Sequence, residues 1–364
     1  MQYTSLGSGV RHGLSQQITS RTRHSGTVIS RGFTSIETPI LLIIWRRPHT
    51  LLKVLQAIRP LSPTQIFIAC DGPNPARPEE AEKVFATRRV IEKEIDWPCQ
   101  IKRLYSDDNL GCKLGPIRAI TWFFDHVEEG IILEDDCVPH HDFLPFCSDL
   151  LEKYRYDQRV WCISGNNYQR GQWRGDGSYY FARIPLTWGW ATWRRCWDNY
   201  DADLLDWPLL RDSGLLDNVF VDPIEKGYWS DKWQYSFENH NVSWWDFQWS
   251  FTCVKNNGLS IEPNRNLVNN IGFGIDATHT TYIPVRTHID VGLVNIVHPT
   301  FTLCDRDACH FTFDYVFSGD TVRNERQFLI RLRSKASKYF NSFMRRIPFR
   351  CLDSTRQTPS LLSP

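Results

Sequence analysis

The chain has 364 residues, 41% of them hydrophobic and 13% aromatic with fifteen Trp, enough apolar material for a substantial core in one large domain or two small ones. A formal net charge of +1 gives no global field that would attract nucleic acid or an acidic partner, so any electrostatic function has to be local. Eleven cysteines, scattered, odd in number and without a C-x-x-C pair, argue against a disulfide framework and a structural zinc site, and predict thiols in a reducing cytoplasm.

Residues 1–36 are rich in Ser, Thr, Arg and Gly without hydrophobic period and read as a disordered leader. They contain no signal-peptide core, and no later segment approaches the roughly 20 apolar residues of a membrane span, so the expectation is a cytoplasmic protein. From residue 37 an alternating pattern begins. PILLIIW (39–45) reads as a strand buried on both faces, followed by a helix in TLLKVLQAI with Thr50 as its N-cap. QIFIAC (65–70) is a second strand, with a charged helix from about Glu79 to Ile95 after it. QIKRLY (100–105) is a third strand, Pro116 to Val127 a helix, and Ile131–Leu133 the start of a fourth strand. Strands alternating with helices predict an α/β fold, a mostly parallel sheet with helices on both faces.

Each of these strands ends in polar residues: Arg46-Arg47, then Asp71-Gly72, then Asp107-Asp108-Asn109 with Gly111, then Glu134-Asp135-Asp136. The carboxyl ends of strands are where open α/β sheets bind ligands. The second half is less regular. It offers a strand at Val160–Ser164, a Trp-rich segment TWGWATWRRCW (187–197), an acidic irregular stretch to about 235, a helix within SWWDFQWSFTCVKNNG (243–258), then extended structure to a glycine-rich turn. Arg323 to Arg350 carries nine Lys or Arg against one Glu, with apolar residues at helical spacing, the pattern of a basic amphipathic helix.

Three adjacent carboxylates at a buried strand end repel one another unless a positive partner is present. Their oxygen-only donor set suits a hard divalent cation, Mg²⁺ or Mn²⁺, and the plain alternative is a solvated acidic turn before a helix capped through Asp142. Arg46 and Arg47 can grip phosphate through forked guanidinium donors, or simply be solvated. Asp71 can accept from a base or ribose hydroxyl, or serve the turn Asp71-Gly72-Pro73. Asp246 is either a general base or part of an S-x-x-D helix start with Ser243. The tryptophans at 188, 190, 193, 197, 244, 245 and 249 suit a core, and one or two of them suit an acceptor groove, since flat sugar faces favour aromatic surfaces. His279 and His298 are further metal-ligand candidates, although a lone His is usually structural.

The segments GIILEDDCVPHHDFLPFC, ISGNNY, PLTWGWATWRRCW, WWDFQWSFTC and NNIGFGIDATHT resemble a bacterial family of nucleotide-diphospho-sugar transferases, some labelled hemolysin-like, over roughly residues 37–315. More remotely the chain is similar to the animal Golgi N-acetylglucosaminyltransferase that initiates complex N-glycans, an inverting enzyme of the GT-A (Rossmann-like) fold. The resemblance implies a nucleotide-sugar half (37–150) and an acceptor half (151–315); the leader and the basic tail (316–364) have no counterpart in it. It implies Asp136 as metal ligand beneath a UDP-sugar diphosphate, with Glu134 and Asp135 on sugar and ribose. Arg47, Asp71 and Asn109 would hold the nucleotide, Asp246 would be the base, and Trp190 and Trp245 would line the acceptor groove. Where the animal enzyme has a second Asp after the base this chain has Phe247, which bears on how the acceptor is oriented.

The implied activity is transfer of a sugar to a hydroxyl of a glycan or lipid-linked acceptor in bacterial surface polysaccharide assembly. The tail would dock on the anionic inner face of the cell membrane or pack on the domain. A non-catalytic nucleotide-sugar binding protein and a lytic protein acting through the basic tail are the alternatives.

Overall fold

The computed structural model describes residues 35–273 and 295–325; the leader, residues 274–294 and the tail beyond 325 lie outside them. The first half follows the alternation read from the sequence: β1 (Ile40–Ile44), α1 (Pro48–Ile58), β2 (Gln65–Cys70), α2 (Glu79–Glu94), β3 (Gln100–Tyr105), α3 (Gly111–Phe124), β4 (Glu129–Glu134), a short β5 (Cys137–Pro139) and α4 (Phe143–Tyr154). The second half contains β6 (Val160–Ser164), β7 (Tyr179–Ala182), β8 (Trp190–Trp193), α5 (Arg194–Trp197), α6 (Trp207–Asp212), α7 (Leu216–Val219), α8 (Pro223–Glu238), α9 (Asp246–Lys255), β9 (Leu259–Pro263), β10 (Val268–Asn270) and α10 (Arg306–Val316).

Eight strands form one sheet in the order β3-β2-β1-β4-β8-β6-β9-β7, and β5 and β10 form a separate ribbon. The β3-β2-β1-β4 portion is parallel throughout; its inner strands are buried on both faces and nearly continuously apolar, as in Ile40–Ile44, whereas β3 at the edge is polar and largely exposed. Beyond β4 the sheet is mixed, with β8 antiparallel to both β4 and β6. The chain steps outward from β1 to β2 to β3, with α1 and α2 packed together, then returns to β4 through α3, which packs against β1. Right-handed crossovers in opposite directions place α3 on the face opposite α1 and α2. The expected α/β architecture is therefore present.

Several local expectations are corrected. α1 begins at Pro48 with Arg47 as its N-cap, and the Thr50 hydroxyl instead donates to the Arg47 carbonyl at 3.0 Å. α3 starts at Gly111, five residues earlier than expected, with Pro116 inside it. α4 follows Asp142, whose carboxylate makes no cap hydrogen bond. The stretch read as irregular contains α8, a sixteen-residue helix that the sequence hides because Trp229 and Trp233 are buried among lysines and acids. Gly72 illustrates how tightly two strand ends meet: a Cβ there would lie 2.5 Å from the Asp107 carbonyl oxygen.

The aromatic residues explain the composition. Trp190, Trp197, Trp245 and Trp249 form one mutually packed group, with Trp190 and Trp245 stacked at 5.7 Å between ring centroids. Trp207, Trp229, Trp233 and Phe251 form a second, between α6, α8 and α9. Among the described residues no helix is long and apolar enough to cross a membrane.

Candidate active site

A cleft of about 490 Å³ lies over the carboxyl ends of β1, β2 and β4. Parallel pairing brings these ends together: Ile44 is in register with Cys70, and Ile43 with Glu134. The residues that follow each strand, separated by up to ninety positions in sequence, therefore share one rim.

Arg47 joins two of them. Its guanidinium lies 2.5 Å from Asp135 Oδ1 and 2.5 Å from Asp136 Oδ2, and the Trp45 backbone N–H donates to Asp135 Oδ2 at 3.0 Å. Among the described residues the positive partner of the acidic triplet is thus Arg47. Burial disfavours its charge, but Asp135, Asp136 and Glu134 outweigh that and push its pKa up. Arg46 turns away to pair with the buried Glu80 and lies over the Trp45 ring, so the two arginines have separate roles.

One guanidinium against three carboxylates leaves a formal charge of −2 (+1 − 3). The consequence appears at Glu134, which lines the cleft but is surrounded by protein. Desolvation first, then the Asp136 charge, raises its pKa to about 8 despite Arg47. Asp135 is raised to about 6 by burial, with Arg47 opposing. Gly272 closes over the triplet; a Cβ there would fall 1.9 Å from Asp136 Oδ2. The strand that precedes it, β10, is held beside Asp136 by pairing of Asn270 with Cys137 and by the Ile271 N–H on the Asp136 carbonyl, 2.9 Å.

Asp71 lines the cleft, but its carboxylate is already engaged. Oδ1 accepts from the N–H groups of Gly72 (3.0 Å) and Leu110 (2.8 Å), and Oδ2 from Gly111 (2.9 Å). Asp71 therefore fixes the start of α3, and little of its acceptor capacity is left for a base. Burial raises its pKa while those N–H groups oppose the shift. Asn109, also on the rim, donates from its amide to the Gly72 carbonyl at 3.0 Å.

Across the cleft stands Asp246, the exposed first residue of α9, near enough for its charge to raise the Glu134 pKa further. The N-cap of α9 is Trp245, which makes no side-chain cap bond, so the S-x-x-D arrangement with Ser243 is not formed; Asp246 Oδ1 instead accepts from the N–H of its neighbour Phe247 at 3.1 Å. The backbone on either side of Asp246 is pinned: Tyr200 Oη donates to the Trp245 carbonyl at 3.0 Å, and the Trp233 indole N–H to the Phe247 carbonyl at 3.1 Å.

The aromatic expectation needs correction. Trp190 is 1% exposed and belongs to the core. Trp245 touches the cleft, though it is largely buried by its stack on Trp190. The aromatic wall is built instead from Trp188, Trp244, Phe247 and Phe273. Trp188 meets Phe273 edge to face at 5.9 Å, and Trp244 is oriented by its indole N–H bond to Ser236 Oγ at 2.9 Å. Periodicity could not separate these from core tryptophans, and place in the chain does not either, since Trp245, beside Trp244 just before α9, is largely buried. His298 is hydrogen-bonded to Tyr179 Oη at 3.0 Å, away from the cleft. His279 lies outside the described residues, as does Asp276, the next carboxylate the sequence offers as a base after Asp246.

No protein-family model matches the chain, and no curated protein matches it. Solved structures do show partial similarity. The S. aureus protein TarS (residues 1–349) is 8% identical, covering 46% of this chain and 50% of that one at a TM-score of 0.33. HddC from Yersinia pseudotuberculosis is 8% identical, covering 45% of this chain and 80% of that one at 0.29. A UDP-glucose pyrophosphorylase complexed with UDP-glucose is 9% identical, covering 45% and 79% at 0.27. The match spans half the length of the TarS chain. These overlaps are partial, and the functional reading rests on the residues of the cleft.

Proposed function

We propose that this chain is a metal-dependent, inverting glycosyltransferase of GT-A type that moves a sugar from a UDP-sugar to a hydroxyl of a glycan or lipid-linked acceptor. The observation that carries this reading is a cleft with Arg47 and the acidic triplet on one side, Asp246 and an aromatic wall on the other. The motif resemblance supports a nucleotide-sugar donor and a place in surface polysaccharide assembly.

An oxygen-only donor set in which three carboxyl groups face one guanidinium fits a hard divalent cation. Asp136 would hold Mn²⁺ or Mg²⁺, and the ion would supply charge against that developing on the leaving diphosphate. Arg47 orients Asp135 and Asp136 and contributes its own positive charge beside the same phosphates. Glu134 and Asp135 face the sugar and ribose, Asn109 shapes the nucleotide end, and Asp71 holds the turn beneath it. Asp246 removes the proton from the acceptor hydroxyl as that oxygen attacks the anomeric carbon from the face opposite the diphosphate, which inverts the configuration. Trp244 and Trp188 offer flat apolar faces to the sugar being approached. Docking of the basic segment 323–350 on an anionic membrane would bring a lipid-linked acceptor within reach.

Calorimetry with UDP-sugars tests the donor half. Binding should require Mn²⁺ or Mg²⁺ and be lost in Asp136→Asn with the fold intact; binding indifferent to both EDTA and the substitution removes the metal from the mechanism.

A further inference from the structure

Two clusters among the described residues bring three metal-ligating side chains together outside the cleft: Asp222, Glu225 and His310, and His140, His141 and Asp142. The first already has its cation, because Arg323 pairs with Asp222 at 2.5 Å and with Asp314 at 2.7 Å. The second has none: the ion-pair partners of Asp142 among the described residues are the two imidazoles themselves.

We propose that His140, His141 and Asp142 form a surface site for a divalent transition cation of the zinc class, separate from the carboxylate cleft. Two imidazoles and one carboxylate suit such borderline cations better than Mg²⁺ or Ca²⁺. The spacing fits as well. Bonds of about 2.0–2.2 Å in a tetrahedron place ligand atoms about 3.3 Å apart. Here His140 Nδ1 lies 3.4 Å from Asp142 Oδ2, close to that spacing, and His141 Nε2 lies 2.9 Å from Oδ1, a hydrogen-bonding distance that has to open slightly to admit an ion. The rings stand 4.0 Å apart between centroids, tilted by 44°, so both present a nitrogen to one carboxylate.

A second observation concerns Asp142. It occupies the N-cap position of α4, where an aspartate ordinarily accepts from the first-turn N–H groups, yet it makes no such bond and its oxygens face the histidines. The dipole of α4 opposes a cation at this end, and the carboxylate offsets that. His140 presents its Nδ1 to the carboxylate. The Asp142 N–H approaches that same Nδ1 at 3.3 Å, a long contact that a metal bond would replace. The site is anchored rather than floppy, because the His140 N–H donates to the Leu267 carbonyl at 2.7 Å, extending the β5–β10 ribbon. The fourth position faces solvent beside His141, whose side chain is 69% exposed, and is open to water or another ligand.

Co²⁺ titration of the full-length chain tests this, since its visible spectrum separates imidazole and carboxylate ligation from the intense thiolate bands that the cysteines would give. With excess Mg²⁺ present to fill the carboxylate cleft, one Co²⁺ per chain should bind with no thiolate band and be displaced by Zn²⁺. His141→Ala and Asp142→Asn should each weaken it by at least about tenfold, while Asp136→Asn should leave it unchanged. His141 is exposed, so its loss does not threaten the fold. The proposal fails if no Co²⁺ binds, if the band is thiolate in character, if His141→Ala binds as tightly as the parent chain, or if Asp136→Asn removes the signal.

Discussion

Arg47 and Asp136, at the ends of two parallel strands and 89 positions apart, form an ion pair of 2.5 Å at the floor of the cleft, and the same guanidinium reaches Asp135 at the same distance. Asp135 and Asp136 are almost entirely buried, so the fold depends on that cation. Removing one partner of a buried pair leaves an uncompensated charge, which costs about 3–5 kcal/mol. Arg47→Ala should therefore lower stability by that amount near neutral pH, and Mn²⁺ should restore part of the loss. Urea denaturation with and without Mn²⁺ measures both; a variant as stable as the parent would show that Arg47 does not hold the triplet.

Asp246 is exposed and does not complete a capping box, so Asp246→Asn should melt within a degree or two of the parent and keep its donor affinity. Loss of the basic carboxylate should lower transfer by at least about a hundredfold. Transfer at close to the normal rate would move the base elsewhere, with Asp276 the next residue to test.

Trp190 and Trp244 should behave oppositely. Trp190→Ala empties a fully enclosed site and should cost about 3–5 kcal/mol of stability. Trp244→Ala removes a half-exposed cleft wall and should raise the KM for acceptor with a much smaller stability loss. Equal effects of the two on stability and KM would contradict the assignment of the aromatic wall.

Stability should also depend on a carboxylate far from the chemistry. Glu262 is buried in β9, accepts from Tyr180 Oη at 2.5 Å, and has its pKa raised by burial from the ordinary 4.5 to about 8. The folded chain therefore binds more protons at this group than the unfolded chain between those values. Its contribution to stability is fully present below about pH 4.5 and is lost as pH rises through about 8, at up to about 1.4 kcal/mol per unit. Glu262→Gln keeps an acceptor for Tyr180 and should flatten that slope; denaturation at pH 5, 6.5 and 8 compares the two chains, and identical slopes would refute the assignment.

The sequence by itself determined the parallel half of the fold. Unbroken apolar runs such as Ile40–Ile44 and residues 66–70, punctuated by polar strand ends, admit few arrangements other than strands buried on both faces, and those polar ends marked the cleft. Four matters were decided only by tertiary structure. Whether Arg46 or Arg47 met the triplet depended on which way each side chain left β1 and on Glu80 waiting on α2. Asp71 proved to be held by the N–H groups of Gly72, Leu110 and Gly111, a contact set by the neighbouring strand end and α3. The choice between Trp190 and Trp188 turned on position within or just before an antiparallel strand that composition does not reveal. α8 stayed hidden because its buried tryptophans lie among charges whose solvent face only packing defines. Local sequence encodes which residues prefer burial and at what period, whereas the identity of the partner across a sheet or a cleft is a property of register and crossover, which no stretch of chain specifies alone.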